Sequence, residues 1–260
     1  MARTNFHNFR LLLLLFILLF VAVGAWLDHS RSTSWDRTLW TGIYPLNGDG
    51  SEKTDSFIRQ LRVEDFKDIT EFFSREAQRL QLGPEKPVDV ELGALIDEQP
   101  PHPPAGRNAF KVMFWSLKLR FWAWQQQRAQ DGPDPDIRMY VVFYDPDQYT
   151  VLAHSLGLKK GLIGVVNAFA SRSMMGTNNV VLAHELLHTL GANDRYDPAT
   201  SLPLFPHGYA EPDRRPLYPQ SKAEIMGGRT VLSETEAETP HNLNSVIIGP
   251  LTAAEIHWIL

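Results

Sequence analysis

Cysteine is missing altogether from the 260 residues, an absence that removes disulfides, thiolate metal ligands and cysteine nucleophiles together. Any metal site must therefore be built from histidine, aspartate and glutamate. Clustered positive charge is missing as well: 25 Lys and Arg stand against 30 Asp and Glu, the formal net charge is -5, and the cations are scattered. A nucleic-acid partner, which needs a basic face, is excluded on that ground. Internal repeats and long low-complexity tracts are absent too. What remains is 43% hydrophobic and 21% charged, the composition of an ordinary globular chain, read most simply as one domain.

One long hydrophobic run is present. Leu11 to Leu27 holds only apolar residues and glycine, follows Arg3 and Arg10, and ends at Asp28. At about 1.5 Å per residue it reaches roughly 26 Å, the short end of what spans a bilayer, and the preceding arginines favour an inside N-terminus. The expected organisation is a tail over 1–10, a transmembrane anchor over 11–27, a linker over 28–38 and a domain over 39–260. That makes a single-pass membrane protein with its catalytic domain outside the cytoplasm. The alternative is a cleaved signal peptide, for which Val23 and Ala25 are small enough, and a secreted or periplasmic product.

Within the domain, Leu39 to Leu46 reads as a strand ending in the turn Asn47-Gly48-Asp49-Gly50. Asp55 to Leu82 has helical spacing, as one helix or as two with a break near Val63. Pro87 to Leu92 is a second strand, and the prolines from Pro100 to Pro104 enforce a loop. A long helix starts near Asn108. It carries Phe110, Met113, Phe114, Leu117, Phe121 and Trp124 on one stripe and Trp115, Leu119 and Trp122 on another, which predicts burial on two sides, with membrane or partner contact as the alternative. Ile137 to Tyr144 and Gly161 to Ala170 are further strands. Strand, helix, strand, helix, strand, strand implies an α/β (α+β) fold, a mixed sheet covered by helices. Six prolines between Asn193 and Ser221 predict an ordered or semi-ordered irregular loop. Thr252 to Glu255 reads as a capping box opening a last short helix.

The chemistry lies in Asn179 to Leu190, a helix by composition that contains His184-Glu185-Leu186-Leu187-His188. Four residues advance a helix by slightly more than one turn, so both imidazoles leave the same face and can bind one zinc ion. Glu185 sits beside them, placed to act as general base on a water without displacing it. The string continues to Gly191 and Asp194 as HExxHxxGxxD, and Met226 follows the proline-rich loop before Gly227 and Gly228.

This pattern, over about 45 residues, resembles the metzincin zinc peptidases, and specifically those with an aspartate third ligand, such as the snapalysin type. The resemblance implies a metzincin-like fold with an upper part over 39–191 and a lower part over 192–260. It implies one catalytic zinc held by His184, His188 and Asp194, with Gly191 ending the helix in a left-handed turn. Met226 becomes the Met-turn residue beneath the metal. Some relatives place a tyrosine two residues after that Met, but Gly228 stands here, so Tyr196, Tyr209 and Tyr218 are the candidates for an oxyanion donor. Extended substrate binds an edge strand in the family, for which Gly161 to Ala170 is the natural candidate.

Glu211, Asp213, Glu224, Asp197 and His207 lack the spacing of a third ligand, and His154, His241 and His257 read as surface or core residues. The expected activity is hydrolysis of peptide or protein substrates. The alternative is a non-catalytic zinc-stabilised envelope module binding a partner through the aromatic helix.

Overall fold

The structure, a computed structural model, describes residues 34–259 apart from 105, 107, 131, 132 and 160, together with Leu12, Leu15, Phe16 and Leu19. Five strands form the central sheet: β1 (Leu39–Asn47), β2 (Val88–Leu92), β3 (Ile137–Tyr144), β4 (Leu156–Leu158) and β5 (Ile163–Phe169). Their order is β2-β1-β3-β5-β4, parallel throughout except for β4, which runs antiparallel to β5. The fold is thus the expected mixed α/β arrangement.

β3 shows why the sheet must be covered twice. Ile137, Met139, Val141 and Phe143 alternate with Tyr140 and Val142, and all six are buried, so neither face can meet water. Three helices cover the first face: α1 (Glu52–Arg59), α2 (Lys67–Arg79) and, closest to the chemistry, α4 (Met175–Leu190). A 3-10 turn over Val63–Phe66 separates α1 from α2, which places the break where the spacing suggested it. On the second face α3 (Ala109–Arg128) presses Leu119, Trp122 and Ala123 onto Tyr44, Tyr140 and Val142.

The C-terminal part is irregular, as expected, with two-residue strands β6 (Ala223–Glu224), β7 (Thr230–Val231), β8 (Ala237–Glu238) and β9 (Val246–Ile247) and a final helix α5 (Pro250–Glu255). Its Ile225, Met226, Val246 and Ile256 join the same core as Val180 and Leu187 of α4. Buried Glu76 strengthens the junction by accepting the Ile248 amide at 2.9 Å.

Four expectations need correction. The single-pass anchor does not stand, because among the described residues no helix is long and apolar enough to cross a membrane. The longest described helix, α3, carries Lys111, Lys118, Arg120 and Arg128, charges that a bilayer core resists. Residues 1–10 and, save four, 11–27 lie outside the described residues. The segment read as linker is not free throughout: Trp35 is buried, packs edge-on against Trp258 and donates its indole N–H to the Ile256 carbonyl at 2.7 Å.

The two-sided burial of α3 fails, since the stripe from Phe110 to Trp124 faces solvent. One sheet face has room for one side of the helix, and nothing described covers the other. Finally, Thr252 and Glu255 form no capping box. α5 begins at Pro250 with Gly249 as its cap, so the Thr252 hydroxyl is free to donate to Glu224 at 2.7 Å, and Glu255 reaches away from its own helix.

Candidate metal centre

α4 starts at Met175 and stops at Gly191, whose φ of 115° lies in the left-handed region that glycine adopts without a Cβ penalty. Its amide bonds the Leu187 and His188 carbonyls, closing the helix and turning the chain back towards the histidines. Eleven of the sixteen α4 residues are buried, so the helix cannot roll to re-aim its polar edge.

That edge holds His184 and His188. The Nδ1 atom of His184 donates to the Ile225 carbonyl at 2.9 Å, and Nδ1 of His188 donates to the Ala192 carbonyl at 2.9 Å. A carbonyl can only accept, so both Nδ1 atoms carry the hydrogen and both Nε2 atoms of the neutral rings are left as lone-pair donors to a cation. The two Nε2 atoms stand 3.1 Å apart. Asp194 completes the triangle: its Oδ1 lies 3.1 Å from His184 Nε2 and 3.0 Å from His188 Nε2.

Three electron-pair donors this close repel one another unless something positive lies among them. Zinc bonds of about 2.0–2.1 Å at the tetrahedral angle separate ligand atoms by about 3.3 Å, so the triangle fits a zinc ion with little adjustment. Two imidazoles and a carboxylate with one side open are also the donor set of a catalytic rather than a closed structural site. Glu185 brings another carboxylate oxygen within 4.8 Å of the imidazole nitrogens, but the nearer Asp194 is the better third ligand.

Glu185 occupies a different environment. It is buried, and its Oε2 has no hydrogen-bond partner among the described residues. Burial pushes its carboxyl above the ordinary carboxylate range, against the pull of His184 and His188. Burial also lowers the His184 pKa, but the Asp194 hydrogen bond, the Glu185 charge and the Ile225 carbonyl outweigh it, and the net shift is upward. For Asp194 burial raises and the two histidine hydrogen bonds lower, with a strong net downward shift that keeps the carboxylate charged.

The scaffold around Asp194 is built from the C-terminal part. Glu255 accepts from the Asn193 amide at 2.9 Å and the Asn193 side chain at 2.7 Å, and pairs with Arg195, so both neighbours of Asp194 are clamped by one carboxylate. The Arg195 amide in turn bonds the Met226 carbonyl at 2.8 Å. Met226 is fully buried, in a turn organised by Glu224. This carboxylate, weighed in the sequence as a rival ligand, instead accepts from the Gly227 and Gly249 amides and the Thr252 hydroxyl. At Gly227 a Cβ would stand 2.3 Å from the Gly208 carbonyl oxygen, which is why glycine follows Met226.

Of the three tyrosines, only Tyr196 lies at the centre, its ring 6.4 Å from that of His184. Burial, the charges of Asp194 and Glu185 and a hydrogen bond to Asp194 push its phenol up to about 12, so it stays protonated and able to donate. Tyr209 and Tyr218 hydroxyls pair with each other at 3.3 Å instead.

A cavity of about 340 Å³ adjoins His184 and Glu185, bounded by Ala153, Phe169, Val181 and Tyr196. It also takes in His154, set aside in the sequence. No spacing could have marked it. A larger hollow of about 740 Å³ beside Trp40 and Tyr44 has, among the described residues, Glu91 as its only acidic or basic group. β4 covers the expected substrate edge only over Ile163–Val165, so among the described residues Val166–Phe169 of β5 keep an edge without a strand partner, beside the cavity. β4 runs tightly along α4, for a Cβ on Gly157 would lie 2.4 Å from the Glu185 carbonyl oxygen.

No protein family matches the chain, and no curated protein is significantly similar to it. The function must be argued from the centre itself.

Proposed function

We propose that the protein is a zinc-dependent peptidase of metzincin-like type that hydrolyses peptide bonds in extended substrates. The observation that carries this reading is the triangle of His184, His188 and Asp194 donor atoms, 3.0–3.1 Å on each side, next to the buried Glu185, whose Oε2 has no hydrogen-bond partner among the described residues. Zinc, when bound, supplies Lewis acidity towards a carbonyl oxygen and makes water a better nucleophile near neutral pH.

The chain's own groups do the rest. His184, His188 and Asp194 hold the ion, and the Ile225 and Ala192 carbonyls fix the tautomers that allow it. Glu185 takes the proton from the attacking water and returns it to the nitrogen of the leaving amine; its raised pKa brings it nearer the range where a general base works well. The Tyr196 phenol can turn its one O–H from Asp194 to the negative charge that develops on the carbonyl oxygen. The free edge of β4 aligns the substrate backbone, and the adjoining cavity receives a side chain.

A non-catalytic zinc-stabilised module would need the three ligands alone. It gives no reason for a carboxylate buried beside them, since an unpaired buried carboxyl costs stability. Glu185→Ala decides between the two: the peptidase reading expects full zinc content and loss of hydrolysis of an unstructured protein. Undiminished hydrolysis in that variant contradicts the assignment of Glu185. Zinc without turnover in the unaltered protein favours the module.

A further inference from the structure

The helix on the far side of the sheet poses a separate problem. Leu119, Trp122 and Ala123 of α3 are buried against the sheet, whereas Phe110, Met113, Phe114, Leu117, Phe121 and Trp124 are between 48% and 78% exposed. Their spacing puts these six on one stripe, directly opposite the buried side. A helix apolar on two faces needs cover on both, and the sheet covers one.

The chemistry of the stripe says what the second cover is. From Phe110 to Trp124 the stripe carries no charged, hydroxyl or amide side chain, so beyond the Trp124 indole N–H it offers little to the hydrogen bonds of a protein–protein interface, about one per 100–200 Å². At 100° per residue Lys111 and Lys118 line one flank and Arg120 the other, while the Arg128 guanidinium lies 4.9 Å from the Trp124 ring at the helix end. α3 holds no Asp or Glu at all, in a chain of net charge -5. Beside the lysine flank is a hollow of about 520 Å³ lined by His102, Phe114, Trp115, Lys111 and Lys118, among others, with no carboxylate on its walls among the described residues. Trp115 fixes its shape by donating to the Pro101 carbonyl at 2.7 Å.

We infer that α3 docks in the plane of an anionic lipid surface, its aromatic stripe among the acyl chains and Lys111 and Lys118 on headgroup phosphates. An apolar face edged by cations, with aromatic rings at the boundary, is the pattern of an interfacial helix. Such docking needs no membrane-crossing helix. It is independent of the peptidase chemistry, because α3 and α4 cover opposite sheet faces and α4 with its cleft stays open to solvent.

The chain has no cysteine, so a single one can be introduced and labelled cleanly. The full chain carrying Leu117→Cys with a polarity-sensitive fluorophore is compared with Glu71→Cys, an exposed position on α2. With vesicles of equimolar phosphatidylglycerol and phosphatidylcholine, the Leu117 label should shift to the blue and the Glu71 label should not. Lys111→Ser and Lys118→Ser should each weaken the vesicle affinity read from that shift, by about fivefold. A silent Leu117 label overturns the inference, and so does an equal response to pure phosphatidylcholine. A label already blue-shifted without vesicles overturns it too: dependence on protein concentration then indicates a second copy on the stripe, and independence indicates residues 11–27 of the same chain.

Discussion

The two helices that face each other across the sheet are both rich in apolar residues, yet they end in opposite states. Eleven of sixteen residues are buried in α4 and three of twenty in α3. α4 is held on all sides but one, and the open side carries two imidazoles whose outer nitrogens are already hydrogen-bonded. α3 is held on one side only, and its open side carries exposed aromatic and aliphatic side chains. Rigidity at α4 suits chemistry, which tolerates little displacement, whereas the bare stripe of α3 suits a surface that accepts side chains in many arrangements.

The sharpest way to break the contrast is at Glu185. Glu185→Ala should lower peptide turnover by roughly two to four orders of magnitude with zinc content unchanged, as metal analysis beside a hydrolysis assay would show. Next comes the clamp on Asp194. Glu255→Ala frees Asn193 and Arg195 together, and competition with a chelator should find zinc bound roughly 10–100-fold more weakly. On α3 the two sides should separate in a denaturation experiment. Leu119→Ala, fully buried, should cost about 2–5 kcal/mol, while Phe114→Ala, exposed, should change stability by no more than about 0.5 kcal/mol without lipid.

The smallest effect is in pH. Without metal, His184 has a pKa above the ordinary histidine value, so a proton competes for its Nε2 at and below that pKa. Asp194, shifted downward, adds no competition until far lower pH. Apparent zinc affinity should therefore be steady at high pH and fall as the pH drops, starting above the ordinary histidine range of about 6.5. Affinity that rises on acidification would refute ligation by His184.

Much of α4 was legible beforehand because its signals are local. The spacing of His184, Glu185, His188, Gly191 and Asp194 is a statement about one helix and its end, and the structure brings those donors together. β1, β2, β3 and β5 were legible too, since alternation and β-branched residues mark buried strands. The parts that escaped depend on distant partners. β4 has only three residues, one of them glycine, too few to show a period. Glu255 looked like a cap because a helix begins nearby, but its partners are about sixty positions back along the chain. Glu224 was set aside as a ligand for want of spacing, but its place among buried amides, which makes it a scaffold, left no local signal. The exposure of α3 was hidden because hydrophobic spacing reports what needs cover and is silent about what provides it.

Central to the account is one divalent cation shared by three named side chains. X-ray absorption at the zinc edge of the zinc-loaded protein tests it most directly. The prediction is a light-atom shell of two imidazole nitrogens and carboxylate oxygen at about 2.0–2.2 Å, with metal lost or the shell altered in Asp194→Ala. A protein that binds no zinc, or a shell unchanged by removal of Asp194, would contradict it.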